Sequence, residues 1–146
     1  MRVMGLDVGQ RRIGVALSDE LGLTAQPLKV IERRGEETFR ELAEIAEERN
    51  VGEIVVGLPR RTDGTLGTEA SRVMAFAEEL RRRLGLPVRF WDERFSTAQA
   101  ERVLLAADQS RRKRRKVRDK VAAALILQGY LDHRRRSEGD HGEGAP

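Results

Sequence analysis

The chain has 146 residues, the usual size of one domain, with 39% hydrophobic residues, 36% charged residues and a formal net charge of +4. No apolar run approaches the roughly 20 residues that span a bilayer. There is no cysteine, which excludes a disulfide scaffold and thiol catalysis. No signal peptide is visible where Met1 and Arg2 lead into a strand-like run, so the cytoplasm is the expected location.

Residues 2–8 and 12–18 read as two strands. Ile13, Val15 and Leu17 alternate with small or polar residues. The link Gly9-Gln10-Arg11 is short enough for a hairpin. A third strand is expected over 28–31, after Pro27. Residues 36–49 place Phe39, Leu42, Ala43 and Ala46 at helical spacing. The run 53–56 reads as a buried strand ending at Gly57-Leu58-Pro59, followed by a loop with the turn signal Asp63-Gly64. A helix over 68–84 presents Val73, Phe76, Ala77, Leu80 and Leu84 and stops at Gly85. Residues 87–91 read as the fifth strand. Ser96 and Gln99 form a capping box that opens a helix to about residue 107. A last helix over 117–133 is expected to use Val117, Val121, Ala124, Leu125, Gln128 and Leu131 as its apolar face. One domain over 1–134 is followed by a polar, Gly-rich tail over 135–146 whose composition predicts disorder. Strands alternating with helices after a hairpin imply an α/β layer fold with a mixed sheet.

Of the 28 basic residues only Lys29, Lys113, Lys116 and Lys120 are lysines. Residues 111–120 read RRKRRKVRDK and carry a net charge of +7, so the remainder is slightly acidic. A concentrated positive segment on a near-neutral body suggests a polyanionic partner, nucleic acid first. Arginine adds a planar fork that grips phosphate through two hydrogen bonds. Six aromatic residues are too few for a single-strand stacking platform; Phe95, beside acids, is the one candidate for base contact.

Three acidic positions stand out. Asp7 ends an apolar strand, where a carboxylate is costly without compensation; it is either a turn aspartate or a site carboxylate. Asp92 and Glu93 follow the fifth strand directly, at the edge where open α/β sheets build sites. Strand alternation sends these two in opposite directions, so one of them is the primary ligand, and alternation alone does not say which. Asp119 is the only acid between Gln109 and Asp132 and falls in the first turn of the last helix. It either compensates the helix dipole or is held as a ligand. Converging on one sheet edge, oxygen ligands of this kind suit Mg²⁺ or Mn²⁺. Such an ion activates water and neutralises charge on a phosphodiester. His133 and His141 read as solvated side chains, and Ser18, Ser71, Ser96 and Ser110 show no nucleophile-elbow pattern.

The segments GLDVGQRRIGVALSD, VVGLPRRTDGTLGTEA, DERFSTAQAE and VRDKVAAALILQGYLD resemble the successive motifs of the YqgF family, also called the RuvX or Holliday junction resolvase family. The resemblance covers roughly residues 2–133. It implies a ribonuclease H-like fold with a five-stranded mixed sheet, the second strand antiparallel, flanked by helices. It also implies an acidic triad of Asp7, Glu93 and Asp119, which favours Glu93 over Asp92, and an activity processing the 5′ end of pre-16S ribosomal RNA.

The expected function is therefore metal-dependent phosphodiester hydrolysis in structured nucleic acid, with Asp7, Glu93 and Asp119 as catalytic metal ligands. Arg11, Arg12, Arg94, Arg111, Arg112, Lys113, Arg114, Arg115, Lys116 and Arg118 are the expected nucleic-acid contacts. Two other readings are a resolvase of branched DNA, working as a homodimer to cut two strands, and a nucleic-acid-binding factor without cleavage. The intact acids speak against the last. An actin-like phosphotransferase would need a second domain, for which 146 residues leave no room.

Overall fold

The computed structural model describes residues 1–61, 63–93 and 111–144, with side chains described through 137 except at 111–118. Five strands form one sheet: β1 (Arg2–Val8), β2 (Arg12–Ser18), β3 (Ala25–Glu32), β4 (Val51–Leu58) and β5 (Val88–Asp92). Their order is β3-β2-β1-β4-β5. β2 runs antiparallel to both β1 and β3, whereas β4 is parallel to β1 and to β5. Among the described residues the helices are α1 (Glu36–Glu48), α2 (Thr68–Leu84) and α3 (Arg111–Gly144).

Alternation along the strands divides the sheet into two faces. Met4, Leu6, Ile13, Val15, Ile54 and Val56 bury against Leu42 and Ile45 of α1 and Val73, Phe76 and Leu80 of α2. Phe39 and Phe76 stack with ring centres 5.0 Å apart and tie the two helices together. Val3, Ala16 and Val55 face the other way and bury against Ala123, Ile126, Leu127 and Leu131 of α3. Gly5 lies beneath this helix: a Cβ there would sit 2.7 Å from Leu127 Cβ.

Several boundaries differ from the sequence expectation. β3 is longer than 28–31 because an edge strand tolerates Pro27, and the register with β2 shifts between Val15 and Ala16 to take it in. β4 starts earlier and continues through Leu58. α3 begins at Arg111 rather than near residue 117, so the basic run is helical at the backbone and not a loop. The same helix continues to Gly144, through most of the segment whose composition pointed to disorder. Arginine and lysine are good helix formers, and a helix without apolar period is invisible to a pattern search. The buried face of α3 is also rotated from the expected one: Ala122, Ala123, Ile126, Leu127 and Leu131 are buried, whereas Val121, Ala124, Leu125 and Gln128 are only partly covered. Every residue in 121–127 is apolar, so periodicity does not choose between faces. The expected helix 96–107, with Ser96 and Gln99, lies outside the described residues.

Polar side chains fix the second half of α3. Gln128 Oε1 accepts the Ala25 backbone N–H at 2.9 Å, and its Nε2 donates to the Leu23 carbonyl at 3.0 Å. Glu53 of β4 accepts hydrogen bonds from Tyr130 Oη at 2.7 Å, Arg134 Nη1 at 2.8 Å and Arg89 Nε at 3.1 Å. Burial, then the hydrogen bond to Glu53, pushes the Tyr130 phenol above its ordinary pKa.

Candidate active site

Asp7 pairs with Gly14 across the β1–β2 ladder, and directly opposed residues of an antiparallel pair face the same way. Gly14 faces α3 at contact distance: a Cβ built there would lie 2.0 Å from the Asp119 carbonyl oxygen. Only glycine allows the helix backbone so near, and the contact sets Asp119 beside Asp7. The rotated face of α3 has the same origin, since Asp119, Ala123, Ile126 and Leu127 follow one another at helical spacing on the side that meets the sheet.

Alternation also separates the two acids after β5. Gly57 pairs with Trp91, which packs among the α3-facing residues, so Glu93, two positions on, turns to that face. The contact is direct: a Cβ on Gly57 would lie 3.2 Å from Glu93 Cγ. Asp92 points to the opposite side and is held by Arg60, whose Nε lies 3.1 Å from Asp92 Oδ2. The structure thus brings Asp7, Glu93 and Asp119 together and leaves Asp92 out.

These three acids line one cavity of about 270 Å³ with Gly9, Gly57, Pro59 and Glu69. Glu69 is the residue that sequence reasoning missed. It sits in the first turn of α2, and the signal was the loop that returns from the end of β4 to start that helix. A larger cavity, about 850 Å³, lies around the edge of β5 and contains Arg60, Asp92 and His133, but none of the triad. The smaller cavity is the one that gathers Asp7, Glu93 and Asp119, with Glu69 beside them. His133 lies against Trp91, ring centres 5.5 Å apart, and lines the larger cavity.

The carboxylates share a cavity without touching as a ligand set. Among the described residues, no group of three or more His, Cys, Asp or Glu is close enough to hold an ion as placed. Negative groups repel at short range, and Asp119 is turned to a cation of the protein: Arg12 Nε donates to Asp119 Oδ2 at 2.9 Å. Arg11 and Arg12 line an adjoining cavity of about 240 Å³ with Asp7, Gln10 and Asp119. The donors are all oxygens, the set that hard divalent ions prefer. Arg94 and Phe95 lie outside the described residues, as do the side chains of Arg111, Arg112, Lys113, Arg114, Arg115, Lys116 and Arg118.

A mixed sheet with this strand order, carrying acids at the ends of β1 and β5 and on the last helix, defines the ribonuclease H-like class. Solved structures agree. RuvC from Thermus thermophilus in complex with a Holliday junction substrate aligns with a TM-score of 0.54 at 15% identity, covering 91% of this chain and 96% of that one. The fowlpox virus Holliday junction resolvase aligns with a TM-score of 0.52 at 13% identity, covering 91% of this chain and 99% of that one. Within this class the chain belongs to the RuvX family, described as Holliday junction resolvase, which matches residues 1–133. Among its relatives, proteins named "Putative pre-16S rRNA nuclease" are 61% identical in Symbiobacterium thermophilum, over 92% of this chain and 94% of that protein, and 54% identical in Desulforamulus reducens, over 90% and 97%.

Proposed function

We propose that this protein is a nuclease that hydrolyses phosphodiester bonds in structured RNA, acting on the 5′ end of pre-16S rRNA in the cytoplasm. The observation that carries this reading is the meeting of Asp7, Glu93 and Asp119 in one cavity at the end of the sheet. The names of the close relatives supply the substrate. Asp7, Glu93 and Asp119 would hold Mg²⁺ or Mn²⁺. When bound, such an ion supplies an activated water and neutralises the charge that develops on the phosphate.

The chain's own residues do the rest. Gly14 and Gly57 let the acid-bearing backbone and side chain approach closely enough to form the cavity. The basic run 111–118 leads along α3 directly into Asp119, so phosphates held there lie beside the acids. Arg11, exposed at the adjoining cavity, and Arg94, next in sequence to Glu93, extend the same grip.

The test is cleavage of precursor 16S RNA beside a four-way DNA junction, in Mg²⁺ and in Mn²⁺, by wild type and Asp7→Asn. Wild type should cut the RNA, while Asp7→Asn stays folded, binds it and loses cleavage by at least about a hundredfold, the scale of several kcal/mol of charge stabilisation. Equal activity would remove Asp7 from the mechanism. Cleavage of the junction alone would reassign the substrate to branched DNA, the activity that the family's description names. Neutralising Arg111, Arg112, Arg114 and Arg115 together should weaken binding and flatten its salt dependence, because fewer counterions are then released. An unchanged slope would refute the basic grip.

A further inference from the structure

Arg12 brings a fixed positive charge to the acid cavity. Its Nε lies 2.9 Å from Asp119 Oδ2, and the two side chains are only 23% and 18% exposed. The pair is built into the fold. Arg12 and Gly14 are two residues apart on β2 and turn to the same face. The strand that lets α3 approach at Asp119 therefore also supplies the cation that meets its carboxylate. Opposite Gly14 stands Asp7, and Glu69 and Glu93 complete the acidic lining. A guanidinium stays charged at any ordinary pH, so the positive charge beside Asp119 is permanent. A divalent cation entering the cavity meets an oxygen already engaged and a positive charge already present.

We propose that Arg12 is an internal counter-ion: it holds Asp119 toward Asp7 when no divalent cation is bound, and it competes with that cation for Asp119. This rests on reading the cavity as a divalent-cation site. Arg12 is then a positioning residue that sets how tightly the metal binds, and not first of all a phosphate contact. A purely structural ion pair would stabilise the fold without opposing the ion.

Mn²⁺ serves as the probe, its binding followed by electron paramagnetic resonance and by the rise it produces in Tm. The proteins are wild type, Arg12→Gln, Arg12→Lys and Asp7→Asn. Wild type should bind Mn²⁺ at a site that Asp7→Asn removes. Arg12→Gln should melt lower than wild type without metal, bind Mn²⁺ about tenfold tighter and gain more in Tm on binding. That is the scale of removing a unit charge a few ångströms from a divalent ion in a water-screened cavity. Arg12→Lys keeps the charge and should stay near wild type, which separates charge from loss of packing. If Arg12→Gln lowers Tm but leaves Mn²⁺ affinity unchanged or weaker, the competition is overturned while the metal site stands. If no protein shows Mn²⁺ binding that depends on Asp7, the divalent site itself fails and the counter-ion role fails with it.

Discussion

On the face that meets α1 and α2, the sheet presents Met4, Leu6, Ile13, Val15, Ile54 and Val56, each fully buried. On the face that meets α3 it presents Gly5, Gly14, Ala16, Val55 and Gly57. Large side chains hold α1 and α2 away from the sheet and fill the space between with apolar volume, which is where most of the stabilisation from burial lies. Small residues let α3 come down until its backbone nearly touches β2. On that second face acids from a strand, a strand end and a helix share one cavity, whose rim Glu69 of α2 also reaches. Apolar volume is thus concentrated on one side and the acid-lined cavity on the other, although both sides use the same five strands.

The division breaks if substitutions on the two faces behave alike. Leu6→Ala, on the α1/α2 face, should lower unfolding free energy by about 2–5 kcal/mol in denaturant melts while the folded fraction keeps its cleavage rate. Gly14→Ala should do the reverse in kind: the added methyl meets the Asp119 carbonyl at 2.0 Å, so α3 must shift. About 1–3 kcal/mol of stability should go, as for an overpacked core, with a far larger loss of cleavage per folded molecule. Gly57→Ala is milder. Its methyl would meet Ile126 Cδ1 at 2.5 Å, the end of a flexible side chain, and Glu93 Cγ at 3.2 Å. Melting should change little, while cleavage falls about tenfold or more because a displacement of an ångström at a reacting group is costly. Equal effects of Leu6→Ala and Gly57→Ala on cleavage would end the distinction.

Much of this arrangement is legible in the sequence. The β1–β2 hairpin, the strands β4 and β5 and the helices α1 and α2 follow from period and turn residues, because each is a local property. The acids Asp7, Glu93 and Asp119 were legible as residues, and the family resemblance favoured Glu93. The structure supplies the physical reason, which is register: Trp91 pairs with Gly57, so Glu93 and not Asp92 turns to α3. The engagement of Arg12 with Asp119 joins residues 107 positions apart, and no window along the chain contains it. Glu69 looked like any acid in the first turn of a helix. The start of α3 is not legible because a run of arginine and lysine has no apolar period, nor is its packed face, because the run 121–127 is apolar throughout. Spacing alone puts Gln128 on that apolar face, whereas it hydrogen-bonds the backbone at Leu23 and Ala25.

The two ends of the sheet sharpen the same comparison with a smaller effect. At the end of β2 away from the acids, Asp19 Oδ1 accepts the backbone N–H groups of Leu23 at 2.7 Å and Thr24 at 3.0 Å, closing the turn into β3. The bonds from Thr24 and then Leu23 hold its carboxyl below the ordinary value of 3.8. Because the folded value is the depressed one, the stabilisation is present above 3.8 and is lost as pH falls through the folded value. Asp19→Asn removes that titration. Its stability should therefore fall less steeply than that of wild type as pH drops below about 4, with the two proteins cleaving alike at neutral pH. Parallel pH profiles would show that the turn carries none of the acid sensitivity. A change in neutral-pH cleavage would mean that this end of the sheet is coupled to the acid cavity after all, through Gln128 and the length of α3.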